Sequence, residues 1–182
     1  MIKSKLLTSV LVLLGLTVSV FGGGHKASEQ LSTFHKSFLQ QYNAETGKLV
    51  DLANAFSDEG FEWRPAEGIR SVRESILHVA GANYFIGSKL GKAMPEGINP
   101  RAFDKTVTSK AETIKVLEES LAFAKAAVKG VSEEDLSEEL SMFGQDFTKM
   151  GVVLLIGGHA YEHLGQLIAY ARSSDVVPPW SN

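Results

Sequence analysis

The 182-residue sequence contains no cysteine. No disulfide can staple the fold, and no thiolate can act as nucleophile, metal ligand or lipid anchor. Stability has to come from packing, and any metal has to be held by nitrogen and oxygen. A surplus of positive charge is missing too. Eighteen Lys and Arg stand against 21 Asp and Glu, and a net charge of -3 does not build the basic stripe of a nucleic-acid-binding surface. The five prolines, at positions 65, 95, 100, 178 and 179, all fall outside the periodic apolar stretches. There is no P-loop, no G-x-G-x-x-G, no G-x-S-x-G and no H-E-x-x-H. No strand-type alternation, internal repeat or low-complexity linker is visible.

What remains is the composition of an ordinary globular chain. Hydrophobic residues make up 44% and charged residues 21%, which argues against disorder. The length suits one domain with a real core and is short for two. The start of the chain differs from the rest. Lys3 and Lys5 precede an apolar run from Leu6 to Phe21, followed by Gly22, Gly23 and Gly24. This reads as a secretory signal peptide over residues 1–22, with Val20 and Gly22 at the recognition positions of a cleavage whose site Phe21 and the glycines blur. The run is short for a membrane span and is broken by Thr8, Ser9, Thr17 and Ser19; an uncleaved anchor is the competing reading. Cleavage removes two lysines and no acid, taking the charge from -3 to -5. The expectation is an exported protein, periplasmic or extracellular, with no stable membrane span after cleavage and a single domain over residues 28–181.

Four long helices are predicted. From Ser28 to Phe56, the residues Leu31, Phe34, Phe38, Tyr42, Leu49 and Leu52 recur at helical spacing and share one face. Gly60 and Pro65 end it, and Phe61 and Trp63 in the following link should fold back on the core. The second helix opens at Ser71 with Glu74 completing a capping box and runs to about Leu90. It is apolar on nearly every side, so it should be buried against several neighbours. The third opens at Ser109 with Glu112, lines one seam with Leu117, Leu121 and Val128, and stops at Gly130 in the left-handed conformation. Residues 132–140 suggest a short acidic helix. The fourth spans about Thr148 to Ala171, ahead of Pro178 and Pro179. Together these imply an all-α four-helix bundle.

The chemistry concentrates at His159-Ala-Tyr-Glu-His163. Residues four apart on a helix share a face one turn apart, so two imidazoles can bite one ion. Gln166 and Tyr170 extend the stripe into what should be the bundle interior, where unpartnered polar groups cost on the order of 1–3 kcal/mol each. His78 is the other histidine inside a predicted core helix, since His35 sits off the centre of its helical face and His25 lies at the expected mature terminus. Three histidines plus a water suit an open divalent-metal site, with zinc, nickel, manganese and iron all admitted by ligand type. The competing reading is that such a pair arises by chance and that these are surface or hydrogen-bonded core histidines; for His78 alone that is the better account. The same five residues match H-x-x-E-H of inverted zinc peptidases. That reading is rejected, because the one acidic residue after His163 is Asp175, beyond the helix end. Glu162 could be a general base on metal-bound water, but it lies about 100° round the helix from His163, and that geometry favours its facing solvent or pairing with Arg172 or another helix. Tyr170 and Gln166 fit substrate orientation and core hydrogen bonding equally well. Trp63 and Trp180 read as packing residues.

Four stretches in order carry a resemblance: Phe61-Glu-Trp-Arg-Pro65 with Arg70-Ser-Val72; Ile76-Leu-His78-Val-Ala80 with Asn83; Ser109-Lys-Ala-Glu112 with Leu117 and Ser120; and His159-Ala-Tyr-Glu-His-Leu-Gly-Gln166 with Tyr170, Arg172 and Pro178-Pro-Trp180. With these, the chain resembles the DinB/YfiT family of helical-bundle metalloproteins over roughly residues 31–181. The resemblance implies a four-helix bundle with one divalent metal, zinc or nickel before manganese or iron, held by His78, His159 and His163. It also implies frequent homodimers and a small-molecule substrate, since characterised members include S-transferases and isomerases that use low-molecular-weight thiols. Those transferases work in the cytoplasm, whereas this chain carries an export signal, so the substrate should differ or the activity be lost. The expectation is an exported metal-dependent enzyme of hydrolase or S-transferase type, with Glu162 and Tyr170 as candidates for proton transfer or orientation. The alternative is a non-catalytic metal-binding or stress-related bundle protein of the cell envelope.

Overall fold

The computed structural model describes residues 31–181. The signal peptide read over residues 1–22, His25, and the first residues of the helix expected from Ser28 lie outside them.

The described chain is mostly helical. Helix α1 spans Thr33–Ala55, α2 Val72–Lys89, α3 Phe103–Thr106, α4 Lys110–Lys129 and α5 Lys149–Ser173. Helix α1 begins later than expected because the Ser32 side chain accepts the backbone N–H of His35 and caps it there. The two capping boxes are present: Ser71 with Glu74 starts α2, and Ser109 with Glu112 starts α4. Thr148 caps α5 by accepting from Gly151 N at 3.0 Å.

Helix α2 packs against both α4 and α5, and α1 packs against α4 and α5. Its one face sends Ile76, Val79 and Ile86 into the main core with Leu49, Leu52, Leu117, Ile156 and Leu167. An adjoining face sends Leu77, Ala80 and Tyr84 into a second cluster with Phe103, Val107 and Phe123. That double burial explains its lack of a polar side. Each such aliphatic side chain contributes roughly 1.5–3 kcal/mol by leaving water. The second cluster also explains the single-turn α3, which lies in a stretch that reads as plain loop: Phe103 and Val107 need an apolar seat, and α2 and α4 supply it. Arg73 fastens the same stretch, donating to the Val107 carbonyl at 3.1 Å and pairing with Glu62 at 2.6 Å.

Two close approaches set the helix spacing. A Cβ on Gly87 would stand 2.9 Å from a ring carbon of Phe123, and one on Gly157 would stand 2.9 Å from a ring carbon of Phe38. No larger residue fits at either crossing without repacking.

Several expectations are corrected. Gly130 is not left-handed: its φ is -81°, and its N–H donates back to Ala126 and Ala127. The right-handed continuation carries Val131 into the core. The acidic helix expected over residues 132–140 is a short 3-10 turn, Glu134–Ser137, followed by a strand. Strands β1, Glu139–Met142, and β2, Gln145–Thr148, form an antiparallel hairpin in which Glu139 faces Thr148 and Met142 faces Gln145. Its two-residue turn, Phe143-Gly144, has φ of 55° and 74°, the geometry that matches the twist of paired strands. Trp63 packs on the core as expected, but Trp180 is exposed at 37%. Among the described residues no helix is long and apolar enough to cross a membrane.

Candidate metal centre

Helix α2 carries His78, and α5 carries His159 and His163 one turn apart. The packing of α2 on α5 brings the three rings together. Nε2 of His78 lies 3.1 Å from Nε2 of His159. Ring centroids stand 5.0 Å apart for His78 and His159, 4.8 Å for His78 and His163, and 4.5 Å for His159 and His163. One ring nitrogen from each residue falls within 4.8 Å of the others. Three points so spaced all lie within about 2.8 Å of a common point, so little adjustment separates them from metal–nitrogen bonds of about 2.0–2.1 Å. The 3.1 Å pair is close to the roughly 3.3 Å that two nitrogens take around a tetrahedral ion at those bond lengths.

The charge state suits the same purpose. Burial, with the neighbouring His163 and His78 and then Arg70, pushes the His159 pKa down to about 4. His78 is lowered by burial, by Arg70 and by His163, against an opposing pull from Glu162. Both rings are therefore neutral near pH 7, with a lone pair to offer.

Gln166 orients the third ring. Its amide oxygen lies 2.7 Å from His163 Nδ1, and an amide oxygen can only accept, so Nδ1 donates to it and Nε2 is the nitrogen outside that bond. The Gln166 amide nitrogen in turn donates to the Tyr170 hydroxyl at 2.8 Å. Tyr170 is buried, its ring 5.3 Å from that of Trp63. A histidine whose far nitrogen is held in this way is the usual support of a metal ligand. His163, Gln166 and Tyr170 thus form one hydrogen-bonded column along α5, with the His159 ring at its end.

Glu162 is exposed and makes no ion pair among the described residues, with Arg172 or any other cation. His35, set aside at the sequence level, is buried away from the trio and hydrogen-bonded to Ser32.

A cleft of about 980 Å³ reaches His78 and His159. Its walls come from α2, from the residue 64–70 link, from the stretch before α3, and from the hairpin tip. Among them are Arg70, Arg101 and Phe143, none of which stood out as site residues in the sequence. Phe143 in particular depends on the unpredicted hairpin.

A sequence profile described as the DinB superfamily matches residues 41–167. No curated protein matches. Among solved structures, a DinB-like protein from Bacillus cereus is similar with a TM-score of 0.70 at 18% identity, over 81% of this chain and 97% of that one. A DinB-like protein from Bacillus subtilis gives 0.59 at 23% identity, over 80% of this chain and 94% of that one. At these identities the likeness to both is one of fold.

Proposed function

The chain belongs to the DinB superfamily, and on that premise we propose that it is an exported metal-dependent enzyme of hydrolase or S-transferase type, built as a four-helix bundle around one divalent ion. The observation that carries this reading is the convergence of three imidazole nitrogens on a spot that two of the rings share with a large cleft. His78, His159 and His163 would hold the ion, zinc or nickel by preference among those suited to nitrogen donors. A bound ion of this kind supplies Lewis acidity toward a water, thiol, hydroxyl or carbonyl at its open position.

The chain's own groups do the rest. Gln166 keeps His163 in one tautomer and orientation, and Tyr170 keeps Gln166 in place. Tyr170 therefore acts by positioning, since its hydroxyl is already engaged within the column. Glu162 stands in solvent yet close enough to influence His78, which makes it the candidate for passing protons between the site and bulk water. The cleft favours an enzyme over a closed metal-storage module, because a small-molecule substrate can enter beside two of the three rings.

Metal analysis of the purified protein tests the reading. One equivalent of zinc or nickel per chain is expected, and none in the His159→Ala/His163→Ala double variant. Metal retained at full stoichiometry by that variant would rule out these ligands. An esterase and thiol-transfer screen of the loaded protein then assigns the reaction class.

A further inference from the structure

The cleft beside the histidines has a composition that the metal site does not require. Phe85, Met94, Ile98 and Phe143 are among its lining residues and give it apolar surface. Phe85 and Phe143 are exposed at 37% and 66%, and their rings stand 5.6 Å apart at the rim. The two rings shield part of each other and Lys89 Nζ lies 5.1 Å over the Phe85 ring, which leaves an apolar surface at the cleft mouth centred on Phe143.

The charged groups of the same cleft divide into two kinds. Arg64 is committed: it donates to the Ile69 carbonyl and pairs with Glu74. Glu74 also accepts the Ser71 N–H of the capping box. Asp104 lies near Arg73 and adds to the field that holds that guanidinium charged. Arg70 and Arg101 have neither a hydrogen bond nor an ion pair to any described residue. Arg70 is near enough to the histidines for its charge to bear on both His78 and His159. Of the two carboxylates of the cleft, Glu74 is paired with Arg64 and Asp104 makes no ion pair among the described residues, while two guanidinium groups are left with unused donors, so the cleft keeps a positive surplus. Guanidinium forks suit carboxylate and phosphate oxygens.

We propose that this cleft binds an amphipathic organic anion, with Arg70 and Arg101 taking the anionic group and the Phe85–Phe143 side taking the apolar body. The proposal rests on the metal-enzyme reading for its purpose, since the bound molecule would lie against His78 and His159, but it makes a separate claim about recognition.

Titration calorimetry on the zinc-loaded protein tests it with three probes of equal chain length: octanoate, 1-octanol and octylammonium. Octanoate should bind at least about tenfold more tightly than either of the others. In Arg70→Gln/Arg101→Gln that preference should vanish while octanol affinity and zinc content stay as in the parent. Both arginines are exposed, so the variant should keep the parent circular dichroism spectrum. Equal binding of octanoate and octanol, or a preference that survives the double variant, would overturn the proposal. Repeating the titration after chelation separates the two claims. A preference for octanoate in a chain that takes up no zinc keeps the arginine site and sinks the metal centre, whereas stoichiometric zinc without the preference does the reverse.

Discussion

Asn83 and His78 lie little more than one turn apart on α2, and each gathers polar side chains from other helices. Around Asn83 the arrangement is closed. Tyr42 on α1 donates to the Asn83 amide oxygen at 3.1 Å, the Asn83 amide nitrogen donates to Ser120 on α4 at 3.1 Å, and Ser120 donates to the Leu117 carbonyl at 2.7 Å. Each polar group has a partner, and all three residues are buried. Burial accordingly drives the Tyr42 hydroxyl pKa upward, and the group stays neutral. Around His78 the arrangement is open. Two Nε2 atoms face each other at 3.1 Å, and the third ring has its far nitrogen tied down and its near one left over. The first cluster satisfies itself and fixes how α1, α2 and α4 sit together. The second brings ring nitrogens of three histidines together at the edge of a cleft, an arrangement with room for a ligand.

The contrast can be broken first on the closed side. Asn83→Ala should strand the buried Tyr42 hydroxyl, leave Ser120 Oγ without its donor, and cost about 2–3 kcal/mol in urea unfolding, with metal stoichiometry unchanged. A comparable loss of metal would mean that the two clusters are one unit. On the open side, Gln166→Leu should leave the fold intact and weaken metal affinity about 10–100-fold in a competition titration, because His163 loses its orienting partner. An unchanged affinity would show that the Gln166 column is only packing. The smallest effect is in pH. His159 titrates near 4 in the folded chain and near 6.5 when unfolded, so the unfolded chain binds more protons between those values and stability rises with pH. For metal-free protein, the stability present above about pH 6.5 should fall by about 1–2 kcal/mol as the pH drops to about 4, allowing for solvent screening. His159→Gln should flatten that slope, and an unaltered slope in the variant would assign the pH dependence elsewhere.

How much could be read in advance differs by element. Starts of α2 and α4 were legible because a capping box is a local device, a hydroxyl and a carboxylate three residues apart bonding to the nearest backbone. The hairpin was not, since its strands are only four residues each, too short for an alternating pattern to stand out, and a phenylalanine is an unusual occupant of the first left-handed turn position. Gly130 misled for a related reason. Glycine permits the left-handed stop without requiring it, and the pull of Val131 toward the core decided otherwise. Arg70 and Arg101 read as ordinary surface charges until the cleft walls are assembled around them.

The linear sequence determined that His159 and His163 share one face of one helix, because 3.6 residues per turn leaves no alternative. It determined equally that no thiolate takes part. Only the tertiary structure decided that His78 meets them, 81 positions away in the chain. That meeting depends on how α2, buried on both faces, is wedged between α4 and α5. Side-chain volume and close approach across helices fix such a crossing, and neither has a signature along the chain.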